Sequence, residues 1–250
     1  MPKSNSSKSS SDYARMDGGA INWLEEAHKD DRAGFVRKVY CLLAVQLTIT
    51  FGFTAIVMTD EHLTLSIQQT FYLFYPALFL QLFIWCTLVC CIHTARKVPM
   101  NYILCTVFTL CWTYMIAFIC SFYDPQLVLM CTLMTAVLTI TLSVFACVTS
   151  LDMTEMCGPF FCWGLLLIFT ISMLMSVLSM VVFTFTETWY PFAAGFALIV
   201  YGIYLMIDTQ LIIGQGRYKL SIDDYIIGSI ILYMDIIMIF LKLLEIFSRR

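Results

Sequence analysis

Seven continuous apolar runs, each long enough to cross a lipid bilayer, dominate this sequence. They occupy about residues 39–59, 71–92, 101–122, 126–149, 160–184, 191–213 and 224–247. About 20 apolar residues cover the hydrocarbon core as an α-helix. Because the runs are apolar throughout and do not alternate as membrane β-strands do, hydrogen bonding of the backbone in lipid requires helices. The sequence therefore predicts an all-α integral membrane protein, a bundle of seven transmembrane helices.

The composition excludes an ordinary soluble domain and separates a tail from the rest. Hydrophobic residues make up 60% of the chain and charged residues 12%, whereas soluble domains are about half apolar and a quarter charged. Residues 1–36 are serine-rich and charged, so we expect a flexible polar cytosolic tail before a membrane domain at 37–250. The chain has no long basic run, so nucleic acid is not expected as a partner.

The distribution of lysine and arginine predicts a cytosolic N-terminus. The tail is rich in both, and the loops after the second and sixth runs carry Arg96, Lys97, Arg217 and Lys219. The other loops carry none, and basic loops face the cytosol. Seven full spans place the two C-terminal arginines on the far side, whereas a re-entrant last segment returns them to the cytosol. We expect seven spans and keep the re-entrant segment as the alternative.

Two aspartates, Asp208 and Asp235, lie deep inside the last two apolar runs. An ionised carboxylate costs a few kcal/mol near the bilayer centre, so both are expected to face the bundle interior or water. At 1.5 Å per residue, Asp208 lies about 9 Å below Gly214 and Asp235 about 16 Å below Asp224. Since a short loop joins the two helices and the depths differ by about one turn, the carboxylates are placed where they can meet.

A shared site would make this aspartate pair a pH sensor. Two carboxylates in a medium of low dielectric cannot both ionise cheaply, so they titrate as a unit. Deprotonation adds repulsion that separates the helices and creates an oxygen-rich site, which Ca²⁺ prefers. Asp208 and Asp235 are therefore also the candidate ligands for transient Ca²⁺. In the alternative, each aspartate only joins helices through a hydrogen bond to a neighbouring Tyr, Ser or Thr.

Few other residues offer chemistry inside the membrane. Lys242 lies two turns after Asp235, on about the same face of the helix, and is a candidate to neutralise the aspartate pair. In the alternative, its side chain snorkels to the membrane interface and pairs with Glu245. The histidines lie in the tail, a loop and the edge of a run, at His28, His62 and His93. Neither a zinc site nor a Ser-His dyad can then form in the core, so we expect no enzyme and no tightly bound cofactor.

The last third of the sequence resembles the transmembrane Bax inhibitor motif family, and its Lifeguard branch fits best. The residues that carry the resemblance are Ile207-Asp208-Thr209-Gln210-Leu211-Ile212-Ile213-Gly214 and Leu232-Tyr233-Met234-Asp235-Ile236-Ile237, with weaker support at 34–40, 96–101 and 145–149. The resemblance covers residues 34–250 and implies a seven-helix fold, a pH-sensitive calcium leak across internal membranes and suppression of cell death. The paired aspartates of the family map onto Asp208 and Asp235. For an arginine that bridges such a pair in related proteins, the nearest match is Arg96.

We therefore predict a pH-sensitive Ca²⁺ leak channel or regulator that suppresses cell death. The endoplasmic reticulum or Golgi is the expected location, with the plasma membrane as an alternative. The second hypothesis is a non-conducting membrane regulator of apoptosis that acts through protein partners of cell-death or calcium pathways. Under both hypotheses the lipid bilayer surrounds the protein, and under the first Ca²⁺ is the transported ion.

Overall fold

The computed structural model describes residues 7–149, 151–152, 190–214 and 218–248, and these residues form a helical bundle. The helices are α1 (Ser7–Thr59), α2 (Glu61–Gln69), α3 (Phe74–Cys90), α4 (Ile92–Arg96), α5 (Met100–Cys120), α6 (Pro125–Val148), α7 (Tyr190–Ile213) and α8 (Tyr225–Phe247). Single turns of 3-10 helix precede α3 and α8. The described part of the chain contains no β-strand. The prediction of an all-α protein is confirmed for these residues.

Among the described residues, six segments are long and apolar enough to cross a membrane. They are Asp30–Thr59, Phe71–Leu88, Met100–Cys120, Pro125–Val148, Ala194–Ile213 and Ile222–Phe247. Each overlaps one of the predicted runs, and the remaining run, 160–184, lies outside the described residues. The chain is thus a multi-pass membrane protein, while the count of seven spans and the cytosolic N-terminus stay predictions. The division at residue 36 also stays a prediction, although α1 crosses it without a break.

Short polar breaks set the ends of the helices. Asp60 precedes α2, and its Oδ1 accepts a hydrogen bond from the backbone N–H of His62 at 2.9 Å. Asp124 caps α6 in the same way, and Pro125 opens that helix. Both arrangements satisfy N–H groups that have no partner within the first turn of the helix. Capping aspartates therefore fix where these two helices begin.

The last helix, α8, lies at the centre of the described bundle. It packs against α1, α5, α6 and α7, and most of its side chains are buried. The hydroxyl of Tyr233 on α8 lies 2.8 Å from that of Thr50 on α1, which in turn lies 3.0 Å from the Thr113 hydroxyl on α5. Inside a membrane, apolar side chains pack against lipid tails about as well as against another helix. These hydrogen bonds therefore help to fix α1, α5 and α8 relative to one another.

Helix α6 lies at the periphery and presents a stripe of large apolar side chains. The exposed residues are Leu129, Leu133, Val137, Ile140 and Val144, which recur every three or four positions. Residues at this spacing share one face of a helix. No described element covers this face, and its apolar side chains suit contact with lipid tails or with another apolar helix.

Candidate functional site

Asp208 on α7 and Asp235 on α8 face each other inside the bundle. Asp208 is fully buried. Asp235 retains some exposure as a residue, but its Oδ2 atom is buried. The two carboxyl groups lie close enough to interact directly with each other. The structure therefore brings together the two acids that the sequence singled out, because α7 and α8 are neighbours that pack along their length.

A hydrogen bond between two carboxyl groups requires a proton. An ionised carboxylate only accepts hydrogen bonds, so these two acids can hydrogen-bond to each other only when one of them is protonated. In the described ranges, no other group donates to either oxygen of Asp208 or to Oδ2 of Asp235. Hydroxyl donors, which the structural alternative requires, are thus missing at these three oxygens. The two buried acids therefore have each other as the nearest possible hydrogen-bond partner at these oxygens.

The basic residues considered as charge partners of the pair bind elsewhere. Arg96 forms a bidentate ion pair with Asp224, with Nε 2.7 Å from Oδ1 and Nη2 2.8 Å from Oδ2. Lys242 lies 2.8 Å from the Glu245 carboxylate, the local pairing that their spacing indicated. Neither forms an ion pair with Asp208 or Asp235 in the described structure. The sequence missed the role of Arg96 because its partner lies 128 residues away.

The two residues after Asp208 are both buried, and one of them attaches α7 to another part of the bundle. Successive residues on a helix point about 100° apart, so each faces a different neighbour. Gln210 Nε2 donates to the Leu151 carbonyl beyond α6 at 2.9 Å. The Thr209 hydroxyl has no hydrogen-bond partner among the described residues. Of the Asp-Thr-Gln sequence that carried the family resemblance, Asp208 therefore faces α8 and Gln210 joins α7 to the segment after α6.

Arg32 of α1 binds the C-terminal end of α7, a role that the sequence did not reveal. Its Nη2 donates to the Leu211 carbonyl at 2.6 Å, its Nη1 to the Leu220 carbonyl at 2.5 Å, and its Nε to the Ile213 carbonyl at 3.4 Å. The guanidinium also lies 4.8 Å from the centre of the Phe35 ring. The last carbonyls of a helix have no partner within it and carry the negative end of its dipole, so a cation there stabilises the helix end.

The ion pair between Arg96 and Asp224 joins α4 to the start of α8. The Asp224 side chain is only 11% exposed, whereas that of Arg96 is 42% exposed. Two parallel hydrogen bonds make this the stronger kind of ion pair. Hydrogen bonding to Asp224 raises the pKa of the Arg96 guanidinium above its ordinary value. The arginine is therefore charged at every physiological pH, and it neutralises an acid that is otherwise buried.

We expect Arg96→Ala to lower the thermal unfolding temperature, because the substitution leaves Asp224 mostly buried without its partner. The charge-swapped double variant, Arg96→Asp with Asp224→Arg, should recover part of the loss. Lys97→Ala, at the exposed neighbouring residue, serves as the matched control. Fluorescence of the buried tryptophans during heating in lipid nanodiscs measures the effect. Equal unfolding temperatures for Arg96→Ala and Lys97→Ala would contradict the assignment.

The aspartate pair alone does not provide a complete calcium site. Ca²⁺ takes six to eight oxygen ligands, of which two carboxylates supply at most four. In the part of the chain that the structure describes, no group of three or more His, Cys, Asp or Glu side chains is placed to hold a metal ion. The transient contact of Ca²⁺ with Asp208 and Asp235 stays a prediction.

The chain is similar to known proteins over most of its length. Residues 32–250 match the family described as inhibitor of apoptosis-promoting Bax1. The chain is 30% identical to protein lifeguard 3 of Mus musculus, over 96% of this chain and 77% of that protein. It is 31% identical to protein lifeguard 3 of Homo sapiens, over 88% and 70% of the two chains. It is also 30% identical to protein LIFEGUARD 1 of Arabidopsis thaliana, over 87% and 89%.

Proposed function

We propose a function from the premise that this chain belongs to the family of inhibitors of apoptosis-promoting Bax1, as its resemblance to the Lifeguard branch predicted. The proposed function is a pH-sensitive leak of Ca²⁺ through membranes of the endoplasmic reticulum or Golgi, which suppresses cell death. The aspartate pair, Asp208 and Asp235, is its pH sensor. The family name supports the role in cell death, and the chemistry of the pair supports the leak.

One observation carries the proposal: two neighbouring buried acids, of whose four oxygens three receive no hydrogen bond from any other group in the described structure. A pair retained for stability alone should be satisfied by other donors, because a buried polar atom without a partner costs about 1–3 kcal/mol. Proteins keep such costly arrangements chiefly at functional sites. Ionisable residues inside membrane helices mark ion or proton pathways for the same reason.

The pair acts as a switch because its contact depends on one proton. When the proton leaves, the hydrogen bond is lost and two negative charges face each other in a medium of low dielectric, where repulsion is strong. The charges push α7 and α8 apart and attract a hard cation into the gap. Protonation restores the contact and closes the gap. The flux of Ca²⁺ therefore increases as pH rises through the range in which the pair loses its proton.

Purified protein in calcium-loaded liposomes tests the leak. We expect release of Ca²⁺ above that of protein-free liposomes, increasing with pH, because deprotonation opens the path. A fluorescent indicator outside the liposomes measures the release. Release equal to that of protein-free liposomes at every pH would contradict conduction.

A non-conducting regulator of apoptosis that acts through membrane partners is the second candidate. The description of the matching family favours it, since that description names apoptosis-promoting Bax1 and no ion. The Asp208→Asn variant separates the two candidates when cell survival and Ca²⁺ release are measured together. Loss of both supports the leak. Protection that persists after the release is lost supports the regulator.

A further inference from the structure

We propose that Arg32 is a positioning residue that sets the depth of Asp208 against Asp235. The proposal rests on the proposed function, because it concerns how the same aspartate pair is held. Arg32 lies on α1 and contacts neither acid. It binds both the C-terminal end of α7 and the segment that leads into α8, and so holds these two parts of the chain together.

The three hydrogen bonds of Arg32 span the connection between the two helices that carry the acids. Leu211 and Ile213 belong to the last turn of α7, and Leu220 lies four residues before the 3-10 turn ends at Asp224. The backbone N–H of Leu220 also donates to the Leu211 carbonyl at 3.3 Å. A planar guanidinium holds such acceptors in a fixed geometry. Arg32 therefore fixes the end of α7 relative to the beginning of α8.

The position of this end determines the position of Asp208. Leu211 lies three residues after Asp208, which is about 4.5 Å along the helix axis. A helix of this length moves as a rigid rod, so a shift of its last turn shifts the Asp208 carboxyl by a similar distance. Hydrogen bonds tolerate only a few tenths of an ångström. A slide of α7 by about 1 Å would thus break the contact with Asp235.

Gly214 is the residue that lets Arg32 reach these carbonyls. It follows α7 with a φ of +78°, a conformation that favours glycine. A Cβ atom at this position would lie 2.8 Å from Nε of Arg32 and 3.0 Å from its Cζ. Contacts that short do not occur without movement of one of the two groups. The glycine and the arginine therefore form one unit, and a side chain at 214 should displace the guanidinium.

Several charged or titratable residues lie near Arg32 and Gly214 along the chain. They are Asp30, Asp31, Lys38 and Tyr40 on α1, and Tyr218, Lys219 and Asp224 before α8. Lys38 in turn lies against the ring of Tyr225 on α8, Tyr40 lies near Cys147 of α6, and the acid that faces Asp208 is Asp235 of α8. Asp224 is already held by Arg96. Arginine keeps its charge across the whole physiological range. Arg32 therefore acts on the pair by holding α7 in place and not by exchanging a proton.

An infrared titration of the carboxyl groups tests the proposal without requiring conduction. Two acids in contact titrate in two separated steps. We expect Arg32→Gln to bring the two steps of Asp208 and Asp235 closer by about one pH unit, a tenfold change in coupling. In Arg32→Lys the separation between the two titration steps should lie between those of Arg32→Gln and the wild type, since one ammonium group cannot bridge three carbonyls. Arg37→Gln, an exposed position on the same helix, is the matched control.

The Gly214→Ala variant provides a second, independent measurement. We expect it to bring the two titration steps of Asp208 and Asp235 closer together, as Arg32→Gln does. Added to Arg32→Gln, it should change the steps little further, because the guanidinium that it displaces is then already absent. Two steps that stay as far apart in Arg32→Gln as in Arg37→Gln would overturn the positioning role. Absence of Ca²⁺ release in liposomes, with the infrared shift present, would instead remove the leak and leave the role of Arg32 intact.

Discussion

Asp235→Asn is expected to abolish the pH response of Ca²⁺ release from proteoliposomes. A switch that releases one proton changes by up to about tenfold per pH unit. Asparagine carries no proton to release and no charge to repel Asp208, so the force that separates α7 and α8 is lost. The variant should show low release that changes by less than about twofold between pH 6 and pH 8. Fluorescent detection of released Ca²⁺ at a series of pH values measures this response.

Glu245→Gln is the matched control for that substitution. It makes the same change from acid to amide on the same helix, but Glu245 pairs with Lys242 and not with Asp208. Its release should keep the pH response of the wild type. A response in Asp235→Asn as steep as that of Glu245→Gln would show that Asp235 is not the sensor, even if the protein conducts.

The double variant Asp208→Asn, Asp235→Asn is expected to be more stable than the wild type at neutral pH. In the described structure, three of the four carboxyl oxygens of the pair have no donor other than the pair itself. Two amides can donate and accept hydrogen bonds to each other without a proton from solvent. Replacement of a buried ionisable pair in this way should raise the free energy of unfolding by about 1–3 kcal/mol. Unfolding in nanodiscs by heat or denaturant measures the difference.

This stability measurement separates a functional pair from a structural one. If the aspartates only joined helices, their replacement would lower the stability, because good hydrogen bonds would be lost. If they are kept for switching, stability should rise while the pH response disappears, the usual exchange between stability and activity. A double variant less stable than the wild type would contradict the sensor and favour the non-conducting regulator.

The helices and the depth of the two acids could be predicted from the sequence because both follow from local pattern. Apolar length predicts a span, and the rise of 1.5 Å per residue converts position into depth. Asp208 and Asp235 then meet because their helices are consecutive and joined by a short connection. This inference needs no knowledge of other contacts.

The positions of α8 and of the arginines could not be predicted in the same way. The described membrane helices carry apolar residues around most of their circumference, so hydropathy does not reveal that α8 is central in the described bundle and α6 peripheral. Arg32 binds backbone carbonyls, which every residue possesses and which therefore leave no mark in the sequence. The sequence contains several acids that could pair with Arg96, and only the folded structure shows that its partner is Asp224.

The central claim is that Asp208 and Asp235 share a proton, and an infrared titration of their carboxyl groups tests it most directly. In the wild type at neutral pH we predict a protonated carboxyl signal that titrates in two separated steps. Asp208→Asn and Asp235→Asn should each leave a single step, displaced from both of those of the wild type, while Glu245→Gln leaves the pair unchanged. Two acids fully ionised at neutral pH, or a titration of either acid that is unaffected by replacement of the other, would contradict the claim.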